Sequence, residues 1–379
     1  MSNHLRLLLV SLSLAFMLGT ASGPRAWSRD WVVDPSGQGD ATTIVGAVKL
    51  AAAGDSILVR AGEYRENVFI NAAKDGLCLR GEGAPTAVTI AADTVAIAIF
   101  NCAVPIRIAN LTLTSTGSIG TLGTLYTRAA QVEIRSCIIR DHVGASNCHG
   151  VAGGAIFCQN SDVLLESCRI ENNRSWESPG GVIVWQSRAD IRDNVFVHNQ
   201  ACYGGGLEIY YCETAGTSVI ERNLFLDNQA ETWGGGIFVV DSSPAIHRNT
   251  FVANAGAGNG GVVVLGGSPE ISDNIIQGSP YGFLCITQPG DLASTPILGR
   301  NLVWSAASGT VSACPATGQI VALDPHFCDA DAGDFSLCVN SPAVSEGTAV
   351  MGAFEVGCAA CDRTPSERSS WGSLKAGYR

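Results

Sequence analysis

Few residues in this chain have both the type and the surroundings to do chemistry, and Glu208 is the first of them. It lies in the run GGLEIY (205–210), a carboxylate between apolar strand residues, with Tyr210 two positions on and Trp185 at the matching place in the preceding copy, GGVIVW. Apolar surroundings raise a carboxyl pKa, a common preparation for general acid work. Aromatic rings beside an acid also suit a sugar, the rings stacking and the acid bonding hydroxyls. A solvated Glu on a partly covered sheet is the plain alternative. Trp176, Tyr203 and Trp233 stand just before the Gly bends of three successive copies and make a second strip for polysaccharide contact, against simple packing of turns. Asp329, Asp331 and Asp334 in CDADAGD approach a calcium loop, although the spacing departs from D-x-D-x-D-G. His142, His149 and His198 lie near bends without a matching Ser or Asp arrangement for a triad.

What positions these residues is a repeat. An apolar residue, two variable ones and then Asn, Cys or Leu recur with the fourth position at Leu111, Cys137, Cys168, Asn194, Asn223, Asn249, Asn274 and Asn301, spaced 25 to 31 residues apart. Half a coil later a Gly pair opens an apolar strand, ending at Gly154, Gly181, Gly206, Gly236 and Gly261, with a degenerate copy at Gly282. A third row, Asn173, Asn199, Asn228 and Asn254, follows the first by five residues. Three rows at one period require a chain that returns to the same place each turn. Short strands at this spacing cannot pair as tight hairpins, but they stack in parallel, coil on coil, about 4.8 Å apart. Asn in register can bond to its copies above and below and tolerates left-handed backbone at a bend; Gly suits a turn needing positive φ. The fold class is therefore all-β, a right-handed parallel β-helix.

Counting from each Gly pair, Ile156, Ile183, Glu208, Phe238 and Val263 form one row and Cys158, Trp185, Tyr210, Val240 and Leu265 another. Strand alternation puts both rows on one face and Val184, Leu207, Ile209 and Ile237 on the other. Two coils run long, near Asn147, Cys148 and His149 and near Tyr211, Cys212 and Glu213, where loops should emerge.

Residues 41–53 read as a short capping helix, with Thr43 as N-cap and Ile44, Ala47, Val48 and Ala51 on one face. Residues 1–26 have the form of a secretory signal peptide: a basic start, an apolar run from Leu7 to Leu18, then small residues. The β-helix is expected over 27–357, and 358–379 as a linker with a short helix from Thr364-Pro365-Ser366-Glu367 that carries Trp371, Leu374 and Tyr378. A net charge of −11 with no basic run beyond the start argues against nucleic acid. No stretch is long enough to span a membrane as a helix. The 14 Cys fit an oxidising compartment. Local pairs to consider are Cys202–Cys212, Cys328–Cys338 and Cys358–Cys361, and none of the spacings forms a convincing zinc site.

DATTIVGAVKLAAAGDSILVRAGEYRENV resembles the opening of many bacterial parallel β-helix proteins of the pectin-lyase-like superfamily, pectinesterases included. DPHFCDADAGDFSLCVNSPAV (324–344) is similar to the closing segment of secreted members of that group, so the resemblance covers 31–357. It implies the fold and an exported location. Its enzymes' motifs do not carry over. The polygalacturonase N-T-D is broken at Asn249-Thr250-Phe251, no calcium-and-Arg grouping of a pectate lyase stands on adjacent coils, and Leu298-Gly299-Arg300-Asn301 imitates a pectinesterase motif without its Asp partners. The reading that follows is a secreted or cell-surface monomer that binds extracellular or cell-wall carbohydrate with no cofactor unless calcium. A polysaccharide lyase or hydrolase with a non-standard site and a structural or adhesion module are the alternatives.

Overall fold

A computed structural model describes residues 28–115, 122–144, 153–176, 179–212, 216–256, 260–287, 293–315, 318–345 and 348–361. The segment expected to be a signal peptide, the insertions around 147–149 and 213, and residues 362–379 of the expected tail lie outside the described residues.

The repeat builds three long parallel sheets. The first has eleven strands from Asp30–Val33 to Ile297–Leu298, the second eleven from Gly62–Arg65 to Ile320–Val321, and the third ten from Val68–Asn71 to Gly309–Ser312. Each coil visits first, second and third sheet in turn, and each strand pairs in register with its copy one coil on, as in Ile220↔Ile246, Phe225↔Phe251 and Leu207↔Ile237. Inward side chains stack with that period: Phe196, Phe225 and Phe251 lie nearly parallel with centroids 4.6 and 4.8 Å apart. A strand, Asp30–Val33, precedes the cap, so the helix is not the chain's first element here. The helix itself spans Ile44–Leu50; Thr43 accepts from the Gly46 N–H, and Ile44, Ala47 and Val48 are buried.

Both Asn rows are continuous buried ladders. Asn194, Asn223, Asn249, Asn274 and Asn301 pass side-chain and backbone bonds from each to the next, as do Asn173, Asn199, Asn228 and Asn254. Cys168 continues the first ladder, donating its backbone N–H to Asn194 and accepting from the Cys137 N–H on Sγ. The conformational reason expected for these Asn is wrong. Left-handed φ falls on the residue before each of them except Asn301: Asp193, Arg222, Arg248 and Asp273 in the first row and Asn172, His198, Asp227 and Ala253 in the second. The ladder residue is Asn because its amide bridges coils.

The Gly pairs need a similar correction. Positive φ belongs to Gly204 and Gly234 (58° and 73°), one residue ahead of the pairs. At the last Gly of each pair the demand is space: a Cβ on Gly206 would lie 2.8 Å from both the Gly236 carbonyl oxygen and the Phe225 ring. Gly206→Ala should therefore destabilise the stack by about 1–3 kcal/mol, the range for overpacking. Denaturant midpoints would check this, and an unchanged midpoint would remove the close-approach argument.

The three outer faces differ. The first sheet presents alternating charges, with Arg107 and Arg135 on Glu133, Arg188 on Asp162 and Asp190, and Arg192 on Asp190. The second begins polar and turns apolar from Val195 on, and there the chain's own C-terminal segment covers it. Phe327, Phe335, Leu337, Ala343 and Met351 pack on Val197, Leu224, Leu226, Val252, Ile275 and Leu302. Gly352 and Ala353 donate to Asp273 and Thr250, and Arg248 pairs with Glu355. The expected closing segment thus folds back along the side of the solenoid. The third face is aromatic.

The disulfides also depart from the local pairing expected. Cys328 bonds Cys358, Cys338 bonds Cys361, and Cys285 bonds Cys314. Cys212 is a free, buried thiol, so the Cys202–Cys212 pair does not form. Parallel stacking explains Cys285–Cys314, which joins cysteines a coil apart at a separation of 29 residues, whereas the other two bridges are set by the strands of the fold-back segment.

Candidate functional site

The third sheet carries the candidates. Its inward rows, including Val182, Leu207 and Ile237 and then Val184, Ile209 and Val239, belong to the core. Its outward rows are Phe157, Ile183, Glu208, Phe238 and Val263, flanked by Gln159, Trp185, Tyr210, Val240 and Leu265. The register corrects two members: Phe157 and Gln159 stand there rather than Ile156 and Cys158. The bend before Ile156 aligns Ala155 with Gly181, one place off a count taken from the Gly pair.

Along this face the rings touch from coil to coil. Tyr126 meets Phe157 at 5.3 Å, Phe157 stacks on Trp185 at 5.8 Å, and Trp185 meets Tyr210 edge-on at 6.4 Å. A side sheet of Gln200–Tyr203, Gln229–Trp233 and Ala255–Gly256 pairs Tyr203 with Trp233 after a shift of register. Both rings pack against Phe238, at 5.9 Å each. The two strips proposed from sequence therefore merge, since Tyr203, Tyr210 and Trp233 border one apolar cluster built on Phe238. Trp176 stays apart, its ring holding the Arg174 guanidinium at 3.8 Å.

Glu208 sits within this cluster's row between Ile183 and Phe238, and it is 4% exposed. The solvated alternative is thereby excluded. Oε2 has no hydrogen-bond partner, and burial pushes the carboxyl up to about 8, so it is protonated at neutral pH. Trp185 Nε1, one strand away and two residues along, is likewise buried without a partner. Tyr210 is half-buried and its hydroxyl pKa is raised by burial, then by Tyr211 and Glu208. The face offers half-buried rings beside two buried polar atoms that lack partners.

The other candidates are placed differently. Asp329 caps a short turn through the Ala332 N–H, and Asp334 accepts from Ser336; Asp331 Oδ1 is buried without a partner. His198 lies 3.4 Å from Asp227 at a bend. His142 has a serine beside it, though not in a triad: Ser115 Oγ is 2.7 Å from Nδ1, with Thr124 Oγ1 at 3.3 Å from the same nitrogen. All three are buried at 1% exposure or less, and burial lowers the His142 pKa to about 4, the Gly153 backbone partly offsetting it. The group fills the coil interior where the second Asn ladder ends, the His142 N–H bonding Asn173 Oδ1. Sequence gave no signal for it, because Ser115 and His142 are 27 residues apart and become neighbours only through stacking. A cavity of about 140 Å³ lined by Ile209, Cys212, Thr217, Ser218, Ser243 and Pro244 holds none of the candidates.

This architecture is that of a right-handed parallel β-helix protein. Residues 61–244 match the family model described as the right handed beta helix region. Part of the chain is also similar to the probable autotransporter YfaL of Escherichia coli (strain K12), at 24% identity over 148 residues. That match takes in 39% of this chain and 10% of the relative, so the chain spans about a tenth of the curated relative it matches. Among solved structures, a pectin methylesterase from carrot aligns at 15% identity and a TM-score of 0.33, covering 80% of this chain and 90% of that one. The catalytic domain of a GH87 alpha-1,3-glucanase in complex with nigerose aligns at 13% identity and a TM-score of 0.36, covering 71% and 64%. Among the described residues no helix is long and apolar enough to cross a membrane.

Proposed function

We propose that this is an exported β-helix that binds extracellular or cell-wall polysaccharide on the aromatic face of its third sheet and does no chemistry on it. One observation carries the reading: on an outward face the unpartnered Glu208 Oε2 stands beside the Phe238 cluster that Tyr203, Tyr210 and Trp233 border, and the unpartnered Trp185 Nε1 belongs to a ring that meets Tyr210. Indole and phenol rings present an apolar body with a polar tip, which suits the CH face and hydroxyl rim of a sugar. A neutral carboxyl both donates and accepts. Binding sites of this kind combine an apolar lining with a few placed polar groups. Disulfides fit an oxidising compartment outside the cytosol, and the autotransporter relative is consistent with export.

The raised Glu208 pKa supports a second reading, a general acid in a lyase or hydrolase. Familiar glycosidases pair two carboxyls across the scissile bond, whereas the row holding Glu208 is otherwise apolar from Phe157 to Val263. One experiment separates the two. The protein is presented to plant, algal and bacterial polysaccharides, and both retention and released products are measured. Retention without products is expected, weakened about tenfold or more by Trp185→Ala and by Tyr210→Ala, the scale of a buried aromatic contact. Products that Glu208→Gln abolishes would make the protein an enzyme; no retention of any polysaccharide would leave a structural module.

A further inference from the structure

The fold-back segment brings four sulfurs to one place. Phe327–Asp329 runs antiparallel to Asp334–Cys338, and Val356–Cys358 pairs with the latter so that Cys338 stands opposite Cys358. The bridges Cys328–Cys358 and Cys338–Cys361 are in contact, with the sulfurs of Cys338 and Cys358 3.4 Å apart. The sulfurs of Cys328, Cys338 and Cys358 all lie within 4.8 Å of one another, and Cys361 joins them through its bond to Cys338. Tetrahedral zinc with Zn–S bonds of about 2.3 Å holds its sulfurs about 3.8 Å apart. Three short strands thus collect Cys328, Cys338 and Cys358, and Cys358-Ala-Ala-Cys361 adds a fourth cysteine in the two-residue chelate common in Cys₄ sites.

We infer that this cluster is a thiophilic metal site whose alternative state is the pair of bridges. Two equivalents of a dithiol reduce the two bridges, each dithiol closing to its own cyclic disulfide as two cysteine thiols form. A zinc ion then displaces the four thiol protons and binds four thiolates. Cys338 is fully buried and the other three are half-buried, so a small reductant and an ion can reach the cluster while the strands frame it. Either state ties down the segment whose Phe327, Phe335 and Leu337 cover the second sheet. Along the chain only CAAC has zinc spacing; Cys328 and Cys338, ten residues apart, join it only through the strands.

The test uses the full chain, reduced with a dithiol, desalted without oxygen and titrated with Co²⁺, then with Zn²⁺. One Co²⁺ per chain is expected, with a near-ultraviolet thiolate band and intense visible tetrahedral bands that zinc abolishes. Cys358→Ser and Cys361→Ser should each weaken cobalt binding roughly a hundredfold. The double variant Cys285→Ser with Cys314→Ser, in the separate bridge, should leave it unchanged. Far-ultraviolet circular dichroism follows the fold throughout. A reduced chain that keeps its β signal without the cobalt bands overturns the inference. So do bands that survive in Cys358→Ser and Cys361→Ser, or a reduced chain that loses its β structure and binds no cobalt.

Discussion

Asn223→Ala should cost the fold about 3–5 kcal/mol, more than most single substitutions. The side chain is wholly buried. Its Nδ2 donates to the carbonyls of Ile191 and Glu221 and to Asn249 Oδ1, and its Oδ1 accepts from both the backbone N–H and Nδ2 of Asn194. Alanine removes all of these and strands polar groups on two neighbouring coils, each unsatisfied group costing about 1–3 kcal/mol. Two comparisons distinguish a ladder from simple packing. Asn223→Cys should be milder, since Cys168 fills the equivalent place with sulfur as a weak acceptor. Asn301→Ala should also be milder, because Asn301 Nδ2 serves only the Ile271 and Gly299 carbonyls. A solenoid can unfold in parts, so hydrogen exchange coil by coil is the suitable measurement. Protection should fall first around residues 191–249. A loss under about 1 kcal/mol, or one equal to that of Asn301→Ala, would show that water replaces the amide without cost.

The ladder was legible because its period is covalent: each coil repeats the same residue at the same interval. Features that join different faces were not. The fold-back of 327–358 joins segments about a hundred residues apart, as in Ala353 with Thr250. Its trace in the sequence was the second sheet's outward row turning from Arg140, Arg169 and Glu171 to Val195, Val197, Leu224 and Leu226, a face that must be covered by something. The bridges were misread because proximity along the chain counts for little where cysteines meet across coils, as Cys285 and Cys314 do, or across the fold-back strands, as Cys328 and Cys358 do. For the site, alternation placed Glu208, Trp185 and Tyr210 on one face correctly. The burial of that face, and the side sheet that draws Tyr203 and Trp233 to it, depend on how bends lie against strands, which a period cannot specify.

The burial of Glu208 has a consequence that can be read without any ligand. Its folded pKa of about 8 lies above the ordinary carboxyl value of 4.5, so between those two values the native state holds a proton that the unfolded chain has released. Stability falls with pH wherever the native state binds more protons. The contribution is complete below pH 4.5 and is lost as pH rises through 8. At 1.36 kcal/mol per pH unit it amounts to about 5 kcal/mol at most. Glu208→Gln keeps the shape and cannot ionise, so the variant should lack this decline. Its stability relative to the native protein should rise from pH 5 to about 8 and level off by about pH 9 in urea titrations. His142, held neutral to about 4, acts in the opposite sense, with stability falling as pH drops below its ordinary 6.5, and it cancels in the comparison because both proteins contain it. Parallel curves for the two proteins would mean that Glu208 is ionised or solvated in the fold, and the neutral donor on the aromatic face would go with it. A divergence that grows from about pH 4.5 and levels off near pH 8 would establish that donor, and polysaccharide retention should then weaken as pH rises through 8, because an ionised Glu208 can only accept.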